Sequence, residues 1–75
     1  MKILVFGALC DITSASYLEY DEIADTTTLL QKLHADFPLL QDKKFAIAVD
    51  KQIINEPTQL HHHAEIALLP PFSGG

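Results

Sequence analysis

Basic residues are scarce: five lysines and arginines stand against ten aspartates and glutamates, which leaves the 75-residue chain at −5 at neutral pH. A protein built to hold nucleic acid needs a basic footprint to displace counterions from phosphates, and this composition offers none. A partner with a basic face suits it better, with charge complementarity acting mostly on the encounter rate. The single cysteine, Cys10, excludes an internal disulfide framework and fits a reducing compartment. No apolar run approaches the roughly 18 residues of a membrane-spanning helix. The opening Met1 to Cys10 carries a false signal, a lysine followed by an apolar run and a cysteine in the manner of a secretory leader. Bulky Leu9 stands where a small residue is expected before a cleavage point, and Asp11 follows at once. The stretch therefore reads as a strand, and the expected compartment is the cytoplasm. Repeats, low-complexity tracts and linkers are also missing, so one compact unit is expected. A chain of this length buries only about 60% of its unfolded surface, which leaves little room for a deep private active site. Its work is expected at an edge or a terminus.

What is present divides into short periodic segments. Lys2 to Phe6 is a β-branched and aromatic run ended by Gly7, as in a strand buried on both faces. Residues 8–14 read as a connection. Tyr17 to Asp21 alternates, with Leu18 and Tyr20 on one face, and predicts a half-exposed strand antiparallel to the first. Asp25-Thr26-Thr27 supplies oxygen-bearing side chains for a helix entry. Leu29, Leu30, Leu33 and Phe37 then recur at helical spacing until Pro38 stops the helix, after which Leu39 and Leu40 are expected to tuck into the core. Phe45 to Val49 alternates as a third strand, Asp50-Lys51 is a tight turn, and Gln52 to Ile54 is a short fourth strand. Asn55-Glu56-Pro57 has turn chemistry, and Glu65 to Leu69 is apolar enough for a central strand.

One helix cannot cover both faces of such a sheet. The economical arrangement is α+β, a mixed sheet of four to five strands with the leucine stripe of one main helix packed on one face. Placing the two most apolar strands, the first and the last, side by side in the middle gives the β-grasp arrangement of ubiquitin-like domains. The expected organisation is a β-grasp domain over 1–69 and an extended tail over 70–75.

That tail reads Pro70-Pro71-Phe72-Ser73-Gly74-Gly75. Two prolines cannot continue a sheet ladder and favour extended backbone without hydrogen bonds. Two glycines without side chains can enter a channel too narrow for any other residue. Six residues at full extension reach on the order of 20 Å, beyond a body whose radius of gyration should be about 11 Å. No side chain of the segment is charged, so burying it in a partner costs little desolvation apart from the carboxylate. The reactive atom is then the α-carboxylate of Gly75, a poor electrophile that needs activation, usually as an acyl-adenylate formed from ATP. The chain has neither a phosphate-cradling glycine loop nor a magnesium-binding carboxylate pair, so no cofactor is expected on it and the ATP site must belong to a partner. An activated acyl group could accept sulfur, giving a thiocarboxylate, or an amine, giving an isopeptide. A Gly-Gly end by itself is compatible with an inert, flexible terminus; set directly behind a core strand and two prolines, it reads as an arm.

The closing Glu65-Ile-Ala-Leu-Leu-Pro-Pro-Phe-Ser-Gly-Gly75 resembles the end of the small, sulfur-carrying subunit of molybdopterin synthase, of the MoaD/ThiS group of ubiquitin-like sulfur carriers. Weaker matches extend over the chain: the opening strand into Phe6-Gly7, Asp11-Ile12-Thr13, Leu29 to Leu33 before Phe37-Pro38, and Phe45 to Val49. The resemblance implies that an ATP-dependent adenylyltransferase of the ubiquitin-activating type adenylates Gly75. A sulfurtransferase or cysteine desulfurase would convert the adenylate to a thiocarboxylate. The tail would then enter the large subunit of the synthase and give its sulfur to cyclic pyranopterin monophosphate. In this scheme Gly75 is the covalent carrier and Gly74 gives clearance. Ser73 offers a hydroxyl, while Pro70, Pro71 and Phe72 stiffen and seat the arm. The thiamine-pathway sulfur carrier shares fold and Gly-Gly but usually lacks the double proline, and ubiquitin-like protein modifiers are a third reading. The chain departs from the family pattern at His63-Ala64, where Gly-Asp is frequent, and at Asp50, where Asn is common.

Other residues with chemical potential have plainer readings. His61, His62 and His63 are expected in a solvated turn, since three neighbours rarely converge on one ion, and no metal site is expected. His34 reads as a partly covered surface residue, and Cys10 as a small core or edge residue without a cationic neighbour to activate it. Glu19, Asp21, Glu22 and Asp25 form an acidic stretch that is a solvated face or, if functional, a docking patch for a basic partner.

Overall fold

A computed structural model describes residues 1–70. The strands are β1 (Lys2–Val5), β2 (Tyr17–Glu19), β3 (Ala46–Val49), β4 (Gln52–Ile54) and β5 (Ile66–Leu69). The helices are α1 (Leu9–Thr13) and α2 (Thr26–Asp36), with a 3₁₀ turn at Pro38–Asp42. The strands form one five-stranded sheet in the order β2-β1-β5-β3-β4. The first and last strands lie side by side and parallel, and every other pairing is antiparallel. This is the mixed β-grasp sheet expected from the pattern of apolar segments.

One face of the sheet carries the core. Ile3 and Val5 of β1, Ile66 and Leu68 of β5 and Ile47 of β3 pack with Leu29 and Leu33 of α2, Leu40, Leu9 and Ile23. Strand side chains alternate between faces, so each strand gives every second residue to this core. Each fully buried aliphatic side chain contributes roughly 1.5–3 kcal/mol relative to exposure. α2 begins where Asp25, in extended backbone, accepts a hydrogen bond from the Thr28 backbone N–H at 2.8 Å. The helix stops at Asp36, ahead of Phe37-Pro38, because proline disfavours helical geometry in the residue before it. The segment crossing back toward β5 is stitched to the helix start: Thr26 N–H donates to Thr58 O at 2.9 Å, and Thr58 N–H donates to Thr26 Oγ1 at 3.0 Å. Tyr20, just past β2, donates its hydroxyl to Asp36 Oδ2 at 2.8 Å, tying the sheet edge to the far end of α2. Burial first, and then Asp36, pushes the Tyr20 phenol up to about 12, so that bond keeps its proton through ordinary pH.

The Thr28 backbone N–H, followed by the Thr28 hydroxyl, holds the Asp25 carboxyl below its ordinary 3.8. A carboxyl whose folded pKa lies below its unfolded value stabilises fully above the unfolded pKa and loses that contribution as pH falls through the folded one. Asp25→Ala should therefore lower the thermal midpoint at pH 7. In acid the gap to the wild type should close, as followed by circular dichroism melts from pH 7 down to pH 2.

Three expectations need correction. The connection at 8–14 contains α1, a single turn whose Leu9 and Thr13 are buried and whose C-terminal Ser14 takes a left-handed conformation at φ 60°. Five residues carry too little periodicity to announce a helix. Of the pair expected in the core, Leu40 is fully buried but Leu39 is 65% exposed, since the 3₁₀ turn points consecutive side chains in different directions. β1 is not buried on both faces either: Leu4 is only half-buried, and Phe6 beyond it is 45% exposed. The helices lie on the core side, and the opposite face of the sheet stays open.

Candidate functional site: the root of the tail and the open face of the sheet

The chain leaves β5 through Leu69 and Pro70. Leu69 is paired with Ala46 of β3 on one side. On the other, Phe6 N–H donates to Leu68 O at 3.1 Å, the last bond joining β1 to β5. Pro70 then packs over Gly7. That glycine has φ +61°, and a Cβ built on it would lie 2.9 Å from Pro70 Cγ, closer than real contacts of this kind. Two independent constraints thus meet at one residue, a left-handed backbone and a proline ring with no space beneath it. The sequence marks Gly7 only as the end of a strand. Its contact with Pro70, 63 positions away, exists because β1 and β5 run parallel and finish at the same end of the sheet.

Pro70 is thereby located at the sheet's end. Pro71, Phe72, Ser73, Gly74 and Gly75, the remaining sequence-predicted site residues, lie outside the described residues.

The tail root opens onto the uncovered face. Register brings one residue from each strand into a single row across it: Tyr17 of β2 opposite Leu4 of β1, Leu4 beside Ala67 of β5, Ala67 opposite Ala48 of β3, and Ala48 opposite Ile53 of β4. Ala48 is little exposed yet stands apart from the core cluster, as a residue on this second face should. Tyr17 is 48% and Ile53 49% exposed. Small side chains thus occupy the middle of the row and larger ones its flanks. Phe6, Leu69 and Ala46 continue the apolar surface toward Pro70. Lys2 Nζ sits 4.4 Å over the Tyr17 ring, placing a cation at the edge of the row. Contiguous exposed apolar surface of this kind marks interaction sites. Composition alone could not reveal it, because a helix-covered face and a partner-covered face leave the same alternation.

The polar candidates fall elsewhere. His61, His62 and His63 are exposed and turn to different partners. The His63 backbone N–H donates to His61 Nδ1 at 3.2 Å, so the proton of a neutral His61 belongs on Nε2, which meets Asp50 Oδ2 at 2.9 Å. His62 Nδ1 lies 3.0 Å from Glu22 Oε1. Among the described residues no three metal-ligating side chains gather. Of the acidic stretch, Asp25 caps α2 and Glu22 faces His62, leaving Glu19 and Asp21 as its open charges. Cys10 sits half-buried in α1 with its Sγ donating to Val5 O at 3.2 Å. Among the described residues no helix is long and apolar enough to cross a membrane.

Asp50, the residue found where asparagine is common, anchors the β3–β4 turn. It has φ 51° and Lys51 has φ 69°, the conformation of a tight hairpin turn. Its Oδ1 accepts from the Glu65 N–H at 3.0 Å, and its own N–H donates to Glu65 O at 2.8 Å. The Glu65 N–H, and after it His61, hold the Asp50 carboxyl below its ordinary 3.8. Asp50→Asn retains the turn conformation and the Glu65 bond but sets an amide N–H against His61 Nε2–H. A modest fall in thermal midpoint at pH 7 is expected, shrinking as pH drops through the folded pKa of Asp50, where the wild type loses its own carboxylate.

Comparison with known proteins places these features. A profile of the ThiS family matches residues 3–75. The chain is 30% identical over 81 aligned residues to a molybdopterin synthase sulfur carrier subunit from Caenorhabditis elegans, covering 100% of this chain and 96% of that protein. Its fold is similar to the crystal structure of SAMP1 from Haloferax volcanii, with a TM-score of 0.71 at 20% identity, covering 99% of this chain and 97% of that one. With its parallel central pair, single long helix and closing Gly-Gly, the chain belongs to the ThiS family, ubiquitin-like in fold.

Proposed function

We propose that this protein is the sulfur carrier subunit of a molybdopterin synthase and works in the cytoplasm. The observation that carries the reading is the sequence Pro70 to Gly75 directly behind central strand β5, in a chain of the ThiS family. The double proline Pro70-Pro71 and the similarity to a molybdopterin synthase sulfur carrier subunit favour this branch over the thiamine pathway.

In the proposed cycle a carboxylate oxygen of Gly75 attacks the α-phosphorus of ATP on a separate adenylyltransferase, releasing pyrophosphate and leaving an acyl-adenylate. The outer sulfur of a persulfide on a sulfurtransferase or cysteine desulfurase displaces AMP to give an acyl disulfide. A second thiol then attacks the donor enzyme's sulfur, taking it up as a disulfide and releasing the terminal thiocarboxylate. The loaded tail enters the large synthase subunit, where sulfur passes to cyclic pyranopterin monophosphate and the Gly75 carboxylate is regenerated by water. The acid–base groups and the ATP site belong to the partners; this chain supplies the acyl carbon, its reach and a docking face. Gly74 admits the tail to a narrow channel, Ser73 offers one hydroxyl, and Pro71 and Phe72 stiffen and seat the arm. The Tyr17–Leu4–Ala67–Ala48–Ile53 row is the natural seat for the partners' bodies, because it adjoins the root from which the tail departs. Alternate use of the same face by activating enzyme and synthase would make their binding mutually exclusive.

The test is the intact mass of the protein purified from its own host. Replacement of one oxygen by sulfur adds about 16 mass units, and that species should vanish when the host's adenylyltransferase is removed. An amide-linked conjugate of much higher mass would instead establish the modifier reading.

A further inference from the structure

A concave feature is built on the helix side of the molecule. Between α2 and the β3–β4 corner is a bowl of about 490 Å³, within the size range of small-ligand sites. Leu30 on the wall of α2, Phe45 on the floor and Ile54 at the end of β4 line it. All three pack against the core yet remain only partly buried, so apolar surface is left open here. Lys43 and Lys44 stand at the lip. They are two of only five basic residues in the chain, and among the described residues neither has a carboxylate within ion-pair distance. Glu56 is the single acidic residue of the lining. Its lining runs from Pro57, which leads into Thr58 hydrogen-bonded to Thr26, to the 3₁₀ turn with Leu40. Its volume suits a compact molecule.

We infer that this bowl binds a small amphipathic anion, with a flat apolar body against Leu30, Phe45 and Ile54 and an acidic group at Lys43 and Lys44. The chemistry required is shared by aromatic carboxylates, sulfonates and phosphate esters. Apart from Ala46, which also borders the open face, the site uses no residue of that face or of the tail, so it stands independently of the sulfur-carrier reading.

The experiment is a ¹⁵N–¹H correlation titration of the full chain with 8-anilino-1-naphthalenesulfonate. Saturable shifts are expected at Leu30, His34, Phe45 and Ile54. The double variant Lys43→Gln/Lys44→Gln should weaken binding about five-fold while leaving distant resonances in place. The neutral analogue N-phenyl-1-naphthylamine should bind the wild type more weakly by a similar factor, and inorganic phosphate should give no saturation over the same range. Shifts centred on Leu4, Tyr17 and Ile53 would overturn the assignment. So would equal affinity for the neutral analogue, or for the lysine variant, or phosphate binding as tight as the dye. None of those outcomes alters the mass-spectrometric test of sulfur loading.

Discussion

Deleting Gly75 should abolish sulfur loading and transfer and leave the thermal midpoint where it was. The deletion withdraws the terminal carboxylate by one residue, about 3.3–3.6 Å of extended chain. A misplacement near 1 Å can already cost about 100-fold in a reaction that depends on alignment, so a loss of at least that size is expected in thiocarboxylate formation. An extra alanine after Gly75 should act equally strongly in the opposite direction, by overfilling the channel and moving the acyl carbon past the nucleotide. The core is made from Ile3, Val5, Ile47, Ile66, Leu68 and the α2 leucines, and none of these is touched by either change. The measurements are intact mass after incubation with the adenylyltransferase, ATP and a sulfur source, alongside circular dichroism melts. Loading above a tenth of the wild-type rate in either variant would remove Gly75 as the carrier, and a collapse of the melt would instead give the terminus a structural role.

Gly7→Ala should lower both stability and loading, and the two effects are separable. At φ +61° an alanine meets a left-handed penalty of roughly 1–2 kcal/mol, and its Cβ would sit 2.9 Å from Pro70 Cγ. In a domain of this size each kcal/mol corresponds to about 4–8 °C in midpoint, so a fall on the order of 5–15 °C is expected. The ring of Pro70 must also move, and with it the origin of everything that follows. Asparagine tolerates left-handed backbone better than alanine but still carries a Cβ. Gly7→Asn should therefore recover part of the midpoint while loading remains impaired. Pro70→Ala removes the Cγ that causes the conflict, so the cost of Gly7→Ala should shrink in that background, giving a measurable coupling between the two sites. Additive effects in that cycle would mean that Gly7 does not aim the tail.

Much of the fold is written in local pattern. The alternation of Phe45 to Val49, the Asp25 cap and leucine stripe of α2, the stop at Phe37-Pro38 and the Asp50-Lys51 turn each depend on neighbours a few residues away. Such features survive reading one segment at a time. The misses share the opposite character. Leu39 and Leu40 are chemically alike, and only the direction of the 3₁₀ turn sends one into the core and the other to solvent. β1 is apolar from Ile3 to Val5, yet which of its faces is covered depends on where α2 lands. The pairing of Asp50 with His61 and Glu65 joins two turns that have no common sequence signature.

The sequence by itself determined the chemistry on offer: a charge-free Pro-Pro-Phe-Ser-Gly-Gly segment, a small body with a net charge of −5, and segment periods that admit a mixed sheet with one helix. Those properties belong to residue types and to spacings within a single segment. Only the tertiary structure decided that Gly7 lies under Pro70, that five strands each contribute one apolar residue to an open row beside the tail's root, and that two lysines overlook a bowl behind α2. Each of these joins residues far apart in the chain, and distances of that kind are set by strand order and register, which no local window contains.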